Sequence, residues 1–456
     1  MKQLANISLM DGWFPTVLFS ITGIAIAFLV FTKSKRGKYW IPLAIQLGAA
    51  FASLIVGGLI AWLISDVFLV FGVSLGWLVI FAISAGFAFL GFAIATAFMS
   101  KGIRLVVCVL ASLLTILCTM LCVDMVYGEY TTIGSLFGWG SFPTLKESEQ
   151  NAPTTTISQW KALYKSGKIH VRNQGIVRSV HIPATESNFK ARTANVYLPP
   201  AALSKHAPKL PVMVMLAGQP GSPTRFFSAS NIASMLNEYA KNHSGLAPIV
   251  ISPDQNGSSS HNSLCADTPV FGKAETYLTK DVPNWIKKHL PVSEDPKLWL
   301  MGGFSQGGTC ATQLVPAHPD IFSSMYSAGG EIEPTWKDEN QTISKYFNGN
   351  KKDYESHIPE KIMRKNAPLK QNYYAIAGLW DPKSQSNQST ISITAHKSGM
   401  RVITMLAQKS GHDWHTVQAG LHVVIDQFCK QAGISDTTAE LNSYADVKIL
   451  NDIKGK

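Results

Sequence analysis

Gly303-Phe304-Ser305-Gln306-Gly307 is a G-x-S-x-G pentapeptide placed between an apolar run, Leu298 to Met301, and a helical pattern that begins near Thr309. Glycines around a serine at such a junction let the backbone turn sharply and project the hydroxyl above a sheet at a helix N-terminus. Ser305 is therefore the expected nucleophile. A serine hydroxyl attacks only when a base removes its proton. Gly411-His412-Asp413-Trp414-His415 supplies two histidines after the last apolar run. His412 lies in the loop and is the expected base, while His415 opens the following helix and is the alternative. The base needs an orienting carboxylate, and Asp381 in Ala377-Gly378-Leu379-Trp380-Asp381-Pro382 gives the chain order Ser, Asp, His. An aspartate before proline also caps turns, so Glu331 and Glu333 stand in reserve. Two backbone amides are needed for a developing oxyanion. They are expected from Gln306, directly after the nucleophile, and from Gln219 in Ala217-Gly218-Gln219-Pro220-Gly221.

These residues require a sheet to hold them. Short Val-, Ile- and Leu-rich runs occur at His170 to Val180, Ala194 to Leu198, Pro211 to Leu216, Ile249 to Ser252, Leu298 to Met301, Met325 to Ala328, Tyr373 to Ala377 and Val402 to Ala407. Most are continuous rather than alternating, as in strands covered on both faces of a parallel sheet. Amphipathic stretches such as Phe226 to Tyr239, Glu275 to His289, Thr309 to Val315 and His415 to Gln431 separate them. The expected fold class is α/β, an α/β-hydrolase fold with a mostly parallel sheet and helices on both faces, over residues 160–434. The polar insertion from Glu331 to Asn366 is either a lid or a helical excursion, and residues 435–456 look like a polar, loosely packed tail.

The first third of the chain differs. Apolar runs at Phe14 to Phe31, Ile41 to Ile64, Phe68 to Met99 and Ile103 to Val126 are each long enough to cross a bilayer, which needs about 20 residues. An all-α four-helix transmembrane region over residues 1–126 is expected, and the first run is too long and too closely followed by others to be a cleaved signal. Lys33, Lys35, Arg36 and Lys38 lie between the first and second runs, and Lys101 and Arg104 flank the third and fourth. Basic loops stay cytoplasmic, so an even number of spans sends the catalytic domain to the extracytoplasmic side of the cell membrane. These loops account for part of the net charge of +11, and no basic stretch interleaved with aromatics points to nucleic acid. Tyr127, Tyr130, Phe137, Trp139 and Phe142 suit an interfacial belt, and residues 127–159 a juxtamembrane linker ending in the polar stretch Lys146 to Gln159. Asp124, near the end of the fourth run, is expected to be an interfacial carboxylate.

No spacing of Cys and His suits zinc, and neither metal nor cofactor is expected. Cys108, Cys118 and Cys122 fall in the fourth span. An extracytoplasmic location permits disulfides, and Cys265 with Cys310 is the candidate pair beside the nucleophile, leaving Cys429 as a buried thiol.

Gly303 to Gly307, the Gly218 turn, Asp381 and Gly411 to Trp414 together resemble the esterase D family, which includes bacterial mycoloyltransferases, over roughly Ile169 to Gln431. The resemblance implies an acyl-enzyme on Ser305 without a metal. It departs at Asp381, where mycoloyltransferases usually carry glutamate, and it does not extend to the membrane segment. The function expected is an esterase acting on a lipid-linked or cell-envelope ester, such as an aminoacyl phospholipid or an acylated glycan, with membrane lipid as neighbour. The alternatives are an acyltransferase of the mycoloyltransferase type and a non-catalytic envelope receptor or scaffold.

Overall fold

A computed structural model describes residues 2–31, 40–68, 75–137 and 142–455, which divide into two units, Met1–Gly140 and Ser141–Lys456. In the first unit, four helices are long and apolar enough to span a membrane: Trp13–Val30, Trp40–Val67, Trp77–Phe98 and Ile103–Tyr127. Large apolar side chains such as Ile24, Phe51, Phe81 and Met120 stay exposed on them, as lipid-facing surfaces require. The third span is shorter than expected because it begins at Trp77, after Gly76 at φ 81°. Lys33, Lys35, Arg36 and Lys38 lie outside the described residues, as does Trp139. Gln46 donates from Nε2 to the Leu29 carbonyl and to Thr96 Oγ1, and Arg104 donates to the Phe28 and Leu29 carbonyls. The ends of the spans that flank the two basic loops therefore lie together. At the other end of the bundle, Ser8 pairs with Thr132. Asp124 there accepts from the Tyr130 amide, a bond within the protein rather than only an interfacial contact. Cys108 and Cys118 are buried and Cys122 half-buried.

The second unit is built on nine strands: β1 (Ile176–Val180), β2 (Ala194–Leu198), β3 (Val212–Leu216), β4 (Ile249–Ser252), β5 (Trp299–Phe304), β6 (Ser324–Ala328), β7 (Asn372–Gly378), β8 (Arg401–Ala407) and β9 (Val447–Ile453). Their order is β1-β2-β4-β3-β5-β6-β7-β8-β9. The six strands from β4 to β8 are parallel, and β1, β2 and β9 join antiparallel. In β3, β5 and β6 every residue is buried, because helices cover both faces, which explains their unbroken apolar sequence. This is the α/β-hydrolase architecture. In such open sheets, sites form beyond the carboxyl ends of the parallel strands.

Four expectations need correction. Residues 435–456 are not a loose tail, because Val447–Ile453 pairs along β8 as the edge strand. An edge strand is held mainly by backbone hydrogen bonds, and only Val447 in it is fully buried, so apolar periodicity does not betray it. The stretch Lys146 to Gln159 is not a linker either. The Leu145 amide donates to the Ser179 carbonyl, Glu149 pairs with Arg178 at 2.7 Å, and Trp160, in the helix Ile157–Lys165, is buried with its indole N–H on the Ser244 carbonyl. Phe142 leaves the expected aromatic belt and stacks edge-on against Phe227 inside this unit. The stretch Phe226 to Tyr239 is two helices, Pro223–Ser230 and Ile232–Asn242, broken at Asn231, whose φ of 56° only short polar side chains and glycine adopt readily.

The insertion after β6 forms three short helices, Glu339–Tyr346, Lys351–Glu355 and Pro359–Asn366. Ile343, Tyr346, Phe347 and Tyr354 in it pack with Leu264 and Ala266 in a small core of their own, a helical excursion rather than a free-standing flap.

Candidate active site

β5 delivers Ser305 to a turn, and the helix Gln306–Ala317 begins on the next residue. Ser305 has φ 52° and ψ −115°, a conformation costly for a residue with a side chain. Its amide is anchored on the Ala328 carbonyl at 2.8 Å. The turn is possible because a Cβ at Gly307 would lie 2.3 Å from the Leu216 carbonyl oxygen. Only a glycine lets the helix start pass so close to the end of β3.

β8 leads into the loop that carries His412, and the helix Trp414–Gln431 follows. Asp413 caps that helix, accepting from the Thr416 amide at 3.1 Å, the Gly411 amide at 2.7 Å and the Ser410 hydroxyl at 2.5 Å. These bonds hold the loop, and Phe304 packs beside the imidazole with ring centroids 4.9 Å apart. His412 Nε2 lies 2.9 Å from Ser305 Oγ. Its Nδ1 lies 2.8 Å from Asp381 Oδ2. Asp381 follows β7 and caps the helix Pro382–Lys397, its Oδ1 accepting from the Ser384 amide at 3.1 Å. One carboxylate thus serves the histidine with one oxygen and the helix with the other. Burial alone would push the Asp381 carboxyl up, but the hydrogen bond and charge of His412, with the Ser384 donors, bring it below the ordinary carboxylate range.

Ser305, His412 and Asp381, far apart in the chain, therefore converge in one hydrogen-bonded relay, the geometry for nucleophilic attack on an acyl carbon. His415 is exposed on the first turn of its helix. Glu331 pairs with Lys383 at 3.1 Å. Glu333 sits in the insertion, where burial, opposed by Tyr354 and reinforced by Glu339 and Glu331, raises its carboxyl. Neither glutamate is on His412. The backbone N–H of Gln306 is the first of its helix and has no intrahelical acceptor by position. Gly218 lies against the nucleophile, since a Cβ there would stand 3.5 Å from Ser305 Cβ, so the turn bearing Gln219 borders the site.

Some positioning residues escape a reading of the sequence. The Gln306 side chain is held by Asn256 at 2.7 and 2.9 Å and by Asn262 at 2.7 Å, which fixes the start of the nucleophile helix to the loop after β4. The same loop is bonded to that helix by the Cys265–Cys310 disulfide. Cys429 is a buried free thiol whose burial raises its pKa. Ser384 Oγ lies 3.4 Å from His412 Nδ1. Its one sequence signal is Asp-Pro-x-Ser, a helix-start pattern with the cap three residues before the donor amide. Gly329, at φ 62°, leaves the space that the imidazole fills, since a Cβ there would stand 2.9 Å from His412 Cε1.

The sequence profile of the family described as "Putative esterase" matches residues 186–426, just over half of the 456-residue chain. The chain belongs to this esterase family. It is an ester-cleaving hydrolase, and the three relay residues all fall inside the matched segment. An uncharacterised protein of Corynebacterium glutamicum is 27 % identical over 445 residues, covering 95 % of this chain and 100 % of that protein, so the likeness extends over the long apolar helices. Among solved structures, a ferulic acid esterase superposes at TM-score 0.48 with 16 % identity, covering 57 % of this chain and 99 % of that one. An S-formylglutathione hydrolase from Agrobacterium tumefaciens gives 0.47 and 16 %, covering 58 % and 98 %.

Proposed function

We propose that this esterase works through an acyl-enzyme on Ser305 at the extracytoplasmic face of the membrane, on a lipid-linked or cell-envelope ester such as an aminoacyl phospholipid or an acylated glycan. The observation that carries the mechanism is the relay, Ser305 Oγ to His412 Nε2 at 2.9 Å and His412 Nδ1 to Asp381 at 2.8 Å. Ser305 Oγ attacks the ester carbonyl while its proton passes to His412 Nε2. Asp381 keeps the proton on Nδ1, so that Nε2 is the free base, and stabilises the imidazolium that forms. The Gln306 and Gln219 amides hold the oxyanion. Collapse breaks the bond to the alcohol oxygen, which takes the proton from Nε2 and leaves. Water then gives a proton to the same nitrogen, attacks the acyl group on Ser305, and frees the carboxylic acid with regeneration of the serine.

The substrate's location rests on the four apolar helices and the basic residues of two loops between them. The test joins two measurements on the full chain in lipid nanodiscs. A fluorophosphonate should label the wild type and not Ser305→Ala; equal labelling overturns the mechanism. Lipid extracts of cells lacking the protein should then accumulate an ester that the purified wild type cleaves to free acid. Transfer of the acyl group to an added sugar or lipid hydroxyl, without free acid, would instead assign an acyltransferase.

A further inference from the structure

The two oxyanion amides come from separate elements, Gln306 at the start of the nucleophile helix and Gln219 in the turn after β3. Two donors serve one oxygen only if their separation is fixed, because each must stand about 2.7–3.1 Å from the place where charge develops. The ladder between β3 and β5 ends where Leu216 pairs with Gly303, short of both amides. Something else has to set their spacing.

The loop after β4 reaches both elements. Gln255 is 2 % exposed, and its Nε2 donates to the Ala217 carbonyl at 2.6 Å and makes a longer contact of 3.4 Å with Gln306 Oε1. Asn256, equally buried, meets the Gln306 side chain as a reciprocal amide pair, donating to Oε1 at 2.7 Å and accepting from Nε2 at 2.9 Å. The Ala217 carbonyl belongs to the same planar unit as the Gly218 N–H, so the bond from Gln255 orients the start of the turn that bears Gln219. The packing there is close: a Cβ at Gly307 would stand 2.8 Å from the Ala217 oxygen, and one at Gly221 would stand 2.5 Å from the Gly218 oxygen.

The loop is itself tied down. Buried Asp254 accepts from the Asn256 and Gly257 amides at 3.1 and 3.0 Å and from the Arg192 guanidinium at 2.7 Å. The Ser263 hydroxyl donates to the Gln255 carbonyl at 2.6 Å. The Cys265–Cys310 disulfide then fastens the loop to the nucleophile helix about one turn beyond Gln306. A side-chain amide suits position 255, because Nε2 carries two N–H donors and both neighbours are oxygens. A hydrocarbon or a carboxylate of the same length could bond neither.

We propose that Gln255 is a positioning residue that sets the spacing of the two oxyanion amides, with Asn256 as the second anchor on the nucleophile helix. This rests on the assignment of the oxyanion to Gln306 and Gln219. Loss of Gln255 therefore weakens binding of the tetrahedral state and leaves the relay as it was.

The full chain in nanodiscs is compared as wild type, Gln255→Met and Gln306→Met, the last of which keeps the Gln306 backbone amide and removes only the side chain that Asn256 holds. Hydrolysis of p-nitrophenyl acetate is measured beside binding of a trifluoromethyl ketone. In that adduct Ser305 Oγ bonds to the ketone carbon, the serine proton passes to His412, and the ketone oxygen becomes the bound oxyanion. Gln255→Met should lower kcat at least tenfold, short of the roughly 10²–10³ for deleting an oxyanion donor outright, with KM within twofold. Affinity for the trifluoromethyl ketone should fall by the same factor, while the matching methyl ketone, which stays trigonal, binds as to wild type. The acid limb of the kcat/KM profile, set by His412, should not move. Gln306→Met should repeat the pattern at least threefold, and it decides alone if Gln255→Met loses its thermal unfolding transition. The proposal is overturned if the folded variants keep wild-type kcat and ketone affinity, if only KM rises, or if the acid limb shifts, which would place the effect in the relay. A wild type that neither reacts with a fluorophosphonate nor forms the ketone adduct would instead overturn the acyl-enzyme reading on which the proposal stands.

Discussion

The two units of this chain use buried polar groups in opposite ways. Among the described residues of the apolar-helix unit they are few and serve as ties between helices, with Gln46 bonded to Leu29 and Thr96 as the clearest case. The helices otherwise meet through small residues: a Cβ at Gly57 would strike Phe87, and one at Gly91 would strike Ser53 and the Ala49 carbonyl. In the catalytic unit, buried polar groups are dense and directional, and those around the relay have defined partners on other elements, as with Asp381 between His412 and Ser384; elsewhere Asp281 is held among Thr185, Glu186 and Ser187. The contrast teaches that helices in lipid need shape and tolerate loss of a polar tie, while a relay fails when one atom is misplaced.

The comparison breaks first at the relay. His412→Ala and Asp381→Asn should each lower kcat/KM on a soluble ester by roughly 10⁴-fold with the fold intact, measured beside thermal unfolding. A variant that keeps activity within tenfold would remove that residue from the mechanism. Next, residues 142–456 expressed alone should fold and cleave a soluble ester at the full-length rate, yet lose on the order of 10²-fold on an ester embedded in vesicles, because the tether supplies effective concentration. Equal rates on the vesicle ester would show that the helices do not serve presentation.

A smaller effect concerns acid. Asp381, Asp281 and Glu149 all have carboxyls held below their usual values of 3.8, 3.8 and 4.5. For the two aspartates burial works against this, and His412 and the Ser187, Glu186 and Thr185 donors respectively overcome it. For Glu149 the Arg178 hydrogen bond leads. Because the folded values are the lower ones, their stabilisation is complete above the usual values and is lost as pH falls through the folded values. Melts of the catalytic unit should therefore be level from pH 7 to about 5 and decline below about 4, and Asp281→Asn should flatten that decline. The smallest effect is expected in the membrane unit, where Gln46→Leu should cost only about 0.6 kcal/mol in steric-trap unfolding within bicelles. A loss several times larger would mean that the two units obey one rule after all.

The relay was legible because each member follows a strand, and loops after parallel strands are where chemistry is mounted. Ser305 announces itself through glycines, His412 and Asp381 through chain order. The central strands were legible because burial on both faces leaves them apolar throughout. What stayed hidden is held by backbone or by distant partners. Val447–Ile453 pairs at an edge with little side-chain burial, and Leu145 to Glu149 owes its place to Ser179 and Arg178. Asn256 and Asn262 act only through a Gln306 side chain that no local pattern connects to them. The start of the catalytic unit at Ser141 is hidden for the same reason, since polarity between Lys146 and Gln159 says nothing of which carbonyls lie within reach.

The double duty of Asp381 restricts how the protein can change. Its Oδ1 begins a helix and its Oδ2 aligns the imidazole, so a glutamate, one methylene longer, would have to be accommodated by moving either the helix or the histidine. Substitution of the acid is therefore not a single step in sequence space. A lineage that carries glutamate in this role must have rebuilt the start of the following helix as well, and the residue three positions on should record that history.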